Sequence, residues 1–289
     1  MPFDEFIYFR GKYIPSLKVP YKKERSKMAI IIAISNEKGG VAKTTSAISL
    51  GASLAETGHR ILLIDLDPQA NLTLALGYEP GKLESTIGDV ILDSGTTIQN
   101  PLETSLPNLF LIPANSILEQ AEMAITPSKS IRDRLRQAIE RSDLIIYDFI
   151  LIDCPPSLGI STQLALTAAN LLIIPTQSEF FSAYALRNMM TLIRDIRVES
   201  NPNLAYRILI TLYDRRNRAH RDIQTQLETT FGDGLFKTII EVDTKLRESP
   251  ILGLPITLYK PTCRGALQYR NLAEELIIFT EKTNSESAK

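Results

Sequence analysis

Cysteine and histidine are scarce in this chain of 289 residues. The two cysteines, Cys154 and Cys263, form no C-x-x-C pair, which excludes a disulfide scaffold and a metal cage built from thiolates alone. The two histidines, His59 and His220, are too few and too widely spaced to indicate a zinc site. Because disulfides form in oxidising compartments, a chain with so few thiols is expected in the reducing cytoplasm.

Long apolar runs and a strong net charge are also missing. No apolar run approaches the roughly 20 residues that cross a bilayer, and the N-terminal stretch has no apolar signal core. The formal net charge is −1, so any contact with nucleic acid must come from a local basic patch. Because 44% of the residues are hydrophobic, the chain is able to bury a sizeable core.

The first 28 residues differ from the rest of the chain in charge. Seven basic and three acidic side chains give them a net charge of +4, and Met28, directly before the first apolar run, offers an alternative start. We expect residues 1–28 to form a basic, poorly ordered extension. We expect one domain over residues 29–282 and a frayed polar tail over residues 283–289.

Short apolar runs alternate with helical stretches along the chain. The first run, AIIIAI, is continuous rather than alternating, which is typical of a strand buried on both faces. Predicted strands cover 29–34, 60–65, 108–113, 148–153, 170–175 and 206–213, with 235–240 as a further candidate. Predicted helices cover 43–57, 116–124, 130–141, 161–169, 181–199, 217–230 and 265–281. The alternation predicts an α/β fold: a mostly parallel twisted sheet flanked by helices on both faces, with ligands at the carboxyl ends of the strands.

The segment NEKGGVAKTT, residues 36–45, lies between the first predicted strand and the first predicted helix. The common phosphate-binding pattern G-x-x-x-x-G-K-[ST], aligned on its lysine, would require glycine where this chain has Glu37 and Ala42. Gly39 and Gly40 still allow the backbone to approach a phosphate closely, and the N–H groups of a helix N-terminus bind anions. The segment therefore predicts a phosphate site of a different type from the common one.

The polar residues of this segment have expected roles. Lys43 is placed to reach the β- and γ-phosphates of ATP, and the Thr44 hydroxyl is placed to bind Mg²⁺. Thr45 would add a phosphate contact or cap the helix. The expected ATP-binding residues of the segment are Lys38, Gly39, Gly40, Val41, Ala42, Lys43, Thr44 and Thr45.

The order of these residues matches K-G-G-x-x-K-[ST], the deviant form of the motif, and through it the chain resembles the ParA/MinD family of P-loop ATPases. The resemblance implies that Lys38 reaches across a dimer interface to the ATP of the partner subunit. ATP binding would then produce a homodimer. Ala42 stands where the family more usually has glycine, and we expect the added methyl group to be tolerated at the start of a helix.

Two further motifs extend the resemblance to the catalytic site. In LLIDLDPQANLT, residues 62–73, Asp67 lies at the family's switch I aspartate, which implies that it orients water or holds Mg²⁺. Asp65, at the end of the predicted strand, is expected to support the magnesium shell. FILIDCPPS, residues 149–157, ends its apolar strand in Asp153, which implies a Walker B carboxylate that completes the ATP site. The expected catalytic residues are Lys38, Lys43 and Asp67, and the expected magnesium ligands are Thr44, Asp67 and Asp153.

The resemblance covers about residues 29–280. Comparison with three other groups of the superfamily indicates which group the chain resembles. The chain ends in LAEELIIFTEKTNSESAK, which lacks the basic face of a MinD-type membrane helix, so no membrane contact is expected. Nitrogenase-type iron proteins need paired cluster cysteines, whereas Cys154 is expected to be a small buried thiol. Larger partition ATPases carry an N-terminal domain of roughly 100 residues, for which residues 1–28 are too short.

A small ParA/Soj-like protein is the remaining match. The resemblance implies a weak Mg²⁺-dependent ATPase that binds DNA without sequence preference as an ATP dimer. It further implies a ParB-like centromere-binding partner, or a cargo adaptor, that stimulates hydrolysis, and a cytoplasmic, nucleoid-associated protein that partitions plasmid or chromosome DNA.

A basic cluster supports a DNA surface. Residues 207–221 contain five arginines and one acid, Asp214, a local net charge of +4. One departure from the family complicates this surface, since Glu241 and Val242 stand where Pro-Arg is usual, and an acid facing phosphates would weaken binding. The expected DNA-contacting residues are Arg215, Arg216, Arg218, Lys245 and Arg247.

Two other functions stay open at this level. One is a positioning ATPase for a cargo other than DNA, such as a protein compartment or a chemosensory cluster. The other is a metabolic P-loop enzyme that phosphorylates or amidates a small molecule, but the sequence offers no acid–base pair outside the nucleotide motifs. The identity of the cargo is not encoded in the motifs.

Overall fold

The computed structural model describes residues 6–9, 12–15, 29–125, 129–179 and 182–287. The strands are β1 (Phe6–Phe9), β2 (Lys12–Pro15), β3 (Ile30–Ile34), β4 (Ile61–Asp65), β5 (Leu102–Glu103), β6 (Leu109–Ile112), β7 (Phe149–Asp153), β8 (Leu171–Gln177) and β9 (Ala205–Thr211). The helices are α1 (Lys43–Glu56), α2 (Asn71–Ala75), α3 (Ile87–Leu92), α4 (Ile117–Ala124), α5 (Lys129–Arg132), α6 (Arg134–Arg141), α7 (Ile160–Ala168), α8 (Ser182–Glu199), α9 (Arg218–Phe231), α10 (Lys245–Glu248), α11 (Ile256–Tyr259) and α12 (Arg264–Ser287). Short 3₁₀ turns cover Pro80–Lys82, Gly232–Gly234 and Ser249–Leu252.

A seven-stranded sheet forms the centre of the domain, in the order β5-β6-β4-β7-β3-β8-β9. Its neighbouring strands are parallel except for β5 and β6, which pair antiparallel. Because parallel strands need crossover connections, the helices between them cover both faces of the sheet. The predicted α/β fold with a mostly parallel sheet is confirmed.

Strand β3 explains why its sequence is continuously apolar. Successive side chains of a strand point to opposite faces of the sheet. Ile31 and Ala33 pack in the apolar cluster on one face, together with residues of α7 and α8. Ile32 and Ile34 pack in the cluster on the other face, together with residues of α1 and α12. Both faces of the strand are buried, so both sets of positions need apolar side chains.

Helix α1 lies close to the sheet because of a glycine. A Cβ added at Gly51 would lie 2.9 Å from a methyl carbon of Leu63 and 3.3 Å from methyl carbons of Leu109 and Leu151. The absence of a side chain at Gly51 therefore lets α1 approach β4, β6 and β7. This contact fixes the helix whose N-terminus follows the phosphate-binding segment.

Several predicted boundaries differ from the structure. The predicted helix 130–141 is divided at Asp133 into α5 and α6, and the candidate strand 235–240 is irregular. Among the described residues, this stretch makes one isolated bridge, at Leu235, and Glu241 directly after it makes another. The short elements α2, α3, α10, α11 and β5 were not predicted, because they are too short for a periodic apolar pattern.

The two predicted terminal segments are partly described. Within the N-terminal extension, β1 and β2 pair antiparallel, with Ile7 opposite Ile14. The other positions of residues 1–28 lie outside the described residues, so the predicted poor order of the extension stays a prediction. At the other end, α12 continues to Ser287, so the predicted tail 283–289 begins inside a helix; positions 288 and 289 lie outside the described residues.

Candidate nucleotide site and basic surface

The predicted nucleotide motifs meet at the carboxyl ends of neighbouring parallel strands. Asp65, at the end of β4, is the register partner of Asp153, at the end of β7. Asp153 is also paired with Ile34, the last residue of β3, directly before the phosphate-binding segment. The parallel topology therefore brings together three motifs that are far apart in the sequence.

The phosphate-binding segment turns into α1 through left-handed backbone conformations. Gly40 has a φ of +74°, and a Cβ added there or at Gly39 would meet nothing within 4 Å. Ala42, directly before α1, has a φ of +66°, where a residue with a side chain is strained by about 1–2 kcal/mol. The expectation that the methyl group is tolerated stays a prediction, and this conformational cost gives a physical reason why glycine is usual at the position.

Side chains from β8 and β9 hold the backbone of this segment. The Thr211 hydroxyl donates to the carbonyl of Val41 at 3.0 Å, and Gln177 Nε2 donates to the carbonyl of Gly40 at 3.2 Å. Asn36 Nδ2 donates to the carbonyl of Pro175 at 2.8 Å. These anchoring contacts could not be predicted from the sequence, because they depend on which strands the topology places beside the segment.

Lys43, Thr44 and Asp153 lie together, as predicted. The Thr44 hydroxyl donates to Asp153 Oδ2 at 2.7 Å, and Lys43 Nζ donates to the carbonyl of Lys38 at 3.2 Å. Burial lowers the pKa of Lys43, opposed by the nearby Asp153, Cys154 and Asp67. Thr45 is half-buried in the first turn of α1, which has no side-chain cap. Cys154 is buried, as expected.

The two strand-end carboxylates carry an unfavourable charge arrangement. Burial raises the pKa of Asp65 to about 7. Burial, together with the neighbouring Asp65, raises the pKa of Asp153 well above its usual range. Asp153 Oδ1 is buried and has no hydrogen-bond partner among the described residues. A cation placed here would relieve both the burial and the mutual repulsion of the two groups.

Asp65 accepts hydrogen bonds from the segment that follows β4. Its Oδ2 accepts the backbone N–H and the hydroxyl of Thr73, at 2.9 and 2.7 Å. Its Oδ1 accepts the backbone N–H of Asp67 at 3.2 Å. These contacts fix the segment that carries Asp67, and the expected support of a magnesium shell by Asp65 stays a prediction.

Asp67 is buried in that segment. Its Oδ1 accepts the backbone N–H of Gln69 at 3.0 Å. Its carboxylate is close enough to Lys43 and Asp153 to contribute to the pKa shifts of both. The structure thus gathers Asp67 with the other predicted residues at one edge of the sheet.

Lys38 lies beside these nucleotide-site residues, but its ammonium group contacts residues at the end of β8. Its Nζ is 2.5 Å from Glu179 Oε2 and donates to Gln177 Oε1 at 3.0 Å. Its side chain lines an open cavity of about 510 Å³, together with Ser157 and the exposed Tyr184. Within a single chain, Lys38 is therefore directed to the end of β8.

The donors at this edge fit a nucleotide with magnesium. Open space above Gly39 and Gly40 and the N–H groups at the start of α1 suit phosphates. The unpartnered Asp153 oxygen suits the hydration shell of a cation. Among the described residues, no three His, Cys, Asp or Glu side chains form a metal-holding group. A magnesium ion here would rely on Thr44, phosphate oxygens and water, which is how Mg²⁺ is commonly held.

The predicted basic surface is brought together but is largely paired with acids. Arg216 pairs with Asp214 at 3.0 Å. Further pairs join Arg218 to Asp222 at 3.8 Å, Lys245 to Glu248 at 2.7 Å and Arg215 to Glu241 at 2.8 Å. The last pair joins the loop after β9 to the segment before α10. Arg247, within α10, is exposed. Arg207 lies apart from this surface, stacked on Phe279. The local positive charge is therefore smaller than the sequence predicts.

Glu241 does not occupy the position that was expected of it. We expected an acid facing the phosphates, but its side chain is buried and paired with two arginines, Arg215 and Arg264. Its negative charge is thus compensated within the protein.

No helix in the described part of the chain is long and apolar enough to cross a membrane.

Comparisons with known proteins cover most of the chain. The family described as an AAA domain matches residues 29–206. The sporulation initiation inhibitor protein Soj of Bacillus subtilis is 40% identical over 250 residues, covering 86% of this chain and 98% of that protein. The structure of a plasmid partition protein of Borrelia burgdorferi bound to AMPPNP has a TM-score of 0.73 at 27% identity, covering 88% of this chain and 100% of that one. The cobyrinic acid a,c-diamide synthase of Mycobacterium smegmatis, with bound ADP and magnesium, has a TM-score of 0.71 at 33% identity, covering 86% and 94%.

Proposed function

This chain belongs to the ParA/MinD family of partition ATPases, and on that premise we propose that it is an ATP-driven dimerisation switch that binds DNA. As a ParA-like positioning ATPase it uses ATP and Mg²⁺. The observation that carries the proposal is the meeting of Lys43, Thr44 and Asp153 at one sheet edge, with the second lysine, Lys38, directed away to Glu179.

The residues of one chain supply binding and orientation. Lys43 contacts the terminal phosphates, and the backbone from Gly39 to Thr45 holds them. Thr44, itself held by Asp153, would hold a magnesium ion, whose positive charge would stabilise the phosphates. Asp67 orients the attacking water.

Lys38 completes the site of the other subunit. Its ammonium group is bound to Gln177 and Glu179 at the edge of an open cavity, where a partner chain can approach it. We infer that it exchanges these contacts for the phosphates of the partner's ATP. A missing charge donor in comparable NTPases lowers the rate by about 10³–10⁵, so basal turnover should be slow until a partner protein completes the arrangement.

The DNA surface is formed by both subunits of the ATP dimer. Ion pairs with acids lower the net positive charge around Arg215, Arg216, Arg218 and Lys245 in each chain. One subunit alone therefore binds DNA weakly, and the two subunits of a dimer bind it more strongly. A ParB-like partner would stimulate hydrolysis and release DNA, which gives a nucleoid-associated protein that partitions DNA.

A mobility-shift titration on two unrelated duplexes tests this function. With ATP we expect binding to both duplexes alike, because contacts between basic side chains and backbone phosphates carry no sequence information. About six phosphate contacts per dimer should give a log–log salt slope of roughly −5. Tight binding with ADP, or a strong preference for one duplex, would contradict the proposal.

A positioning ATPase for a cargo other than DNA is the second candidate. The internal pairing of four predicted DNA-contacting side chains favours it. The same titration separates the two functions, since this candidate requires ATP-dependent dimers that bind neither duplex at low salt.

A further inference from the structure

A buried carboxylate, Glu241, joins two arginines from separate parts of the chain. Its Oε1 lies 2.8 Å from a terminal nitrogen of Arg215, and its Oε2 lies 2.9 Å from a terminal nitrogen of Arg264. Gln268 fixes the group, because its Nε2 donates to Glu241 Oε1 at 3.0 Å and its Oε1 accepts the Glu241 backbone N–H at 2.9 Å. Glu241 is therefore immobilised between two cations.

The two arginines themselves face solvent. The side chains of Arg215 and Arg264 are 76% and 54% exposed, whereas that of Glu241 is 7% exposed. Each guanidinium has five N–H donors in a planar fork. Arg215 directs one terminal nitrogen to Glu241, while Arg264 directs its two terminal nitrogens to Glu241 and to the carbonyl of Val242. Donors are left on both groups for an external anion.

An anion between the arginines is needed to hold them together. Two guanidinium groups at such short range repel each other, and an opposite charge between them removes the repulsion. Glu241 and the two arginines sum to a charge of +1, and Asp243, whose carboxylate also interacts with Arg264, offsets part of it. Removing one member of a buried ion pair leaves its partners uncompensated.

We propose that Arg215 and Arg264, held together by Glu241, form a docking site for one backbone phosphate of duplex DNA. The inference rests on the proposed DNA-binding function. Planar guanidinium forks match the geometry of phosphate oxygens. The pair adjoins the loop that carries Arg216 and Arg218, and a row of cations along one surface suits a polyanionic backbone better than a single acidic side chain of a protein. Glu241 acts as a positioning residue and strengthens DNA binding, although it carries a negative charge.

The Glu241→Gln variant tests whether Glu241 strengthens or weakens DNA binding. It adds one positive charge and keeps a side chain that hydrogen-bonds to Gln268, but it removes the anion between the arginines. We expect its affinity for duplex DNA with ATP to fall by about tenfold, as for loss of one good charged contact. Glu274→Gln, at an exposed position of α12, adds the same charge away from the pair and should bind at least as well as wild type. Equal or tighter binding by Glu241→Gln overturns the proposal.

Arg264→Ala gives a second measurement that does not depend on a Glu241 variant. Without Arg264 the charges of Arg215 and Glu241 cancel, so the phosphate contact should be lost and the steepness of the log–log salt slope should fall by about 0.9 per subunit. An unchanged slope overturns the docking site, and it does so even if melting curves reveal that Glu241→Gln fails to fold. Failure of the wild-type protein to bind any duplex with ATP refutes the DNA function and the docking site together. Wild-type binding with unchanged variants refutes the docking site alone.

Discussion

The nucleotide edge and the basic surface arrange their charges in opposite ways. At the nucleotide edge the charged groups are buried and incompletely balanced: Asp65 and Asp153 lie side by side, both with raised pKa values, and one Asp153 oxygen has no partner among the described residues. On the basic surface the cations are exposed, and most are paired with acids of the same chain. The first region keeps a buried carboxylate oxygen available to a ligand, whereas the second is nearly balanced by acids of the same chain.

The largest expected effect is at the nucleotide edge. Lys43→Ala should lower the affinity for ATP by more than about 100-fold, because it removes the cation that faces the buried Asp67 and Asp153 and contacts the terminal phosphates. Lys82→Ala, at a lysine whose side chain is 75% exposed, is the matched control and should bind normally. If a titration gives the Lys43 variant the same affinity for ATP as the wild type, the assignment of this edge as the nucleotide site is wrong.

Asp67→Ala should separate binding from turnover at the same edge. ATP should still bind, but steady-state hydrolysis should fall by about 100-fold, within the range of a lost general-base or water-positioning group. The variant should accumulate as an ATP-bound dimer. Phosphate release at the wild-type rate would rule out the water-orienting role.

Arg216→Glu should affect the basic surface and spare the nucleotide edge. We expect affinity to fall by about tenfold on every duplex alike, because a phosphate contact is lost and an acid replaces it. ATP-dependent dimerisation should persist. A loss confined to one DNA sequence would mean that Arg216 contacts a base edge, and an unaltered affinity would place the DNA surface elsewhere.

Ala42→Gly should give the smallest change. Relief of the left-handed conformation, less the greater freedom of glycine in the unfolded chain, should stabilise the protein by about 0.5–1 kcal/mol. Ala47→Gly, inside α1, should destabilise it instead, since glycine is unfavourable in a helix interior. Thermal unfolding of the two variants measures whether each substitution raises or lowers the stability of the protein. Destabilisation by Ala42→Gly would contradict the proposal that Ala42 is strained.

The sequence predicts the nucleotide edge better than the basic surface for a physical reason. Lys43, Thr44 and Asp153 could be predicted because each occupies a strand end or helix start within a local motif, and a parallel sheet gathers such ends. The anchoring roles of Gln177 and Thr211 could not, because they depend on which strands become neighbours.

The ion pairs on the basic surface could not be predicted from the sequence either. A count of charges within residues 207–221 cannot include Glu241, which pairs with Arg215 from a distant segment. The fold class and the six parallel strands followed from apolar runs, whereas helices of four to six residues, such as α2 and α11, are too short for a helical period to be recognised.

The dimerisation switch is tested most directly by light scattering with nucleotide. With ATP and Mg²⁺ the wild-type chain should have twice its monomer mass of 32.3 kDa, and with ADP it should be a monomer. Lys38→Gln should bind ATP with nearly normal affinity yet remain a monomer, because the phosphate that Lys38 contacts belongs to the other subunit. A Lys38 variant that dimerises and hydrolyses ATP as the wild type does would contradict the account.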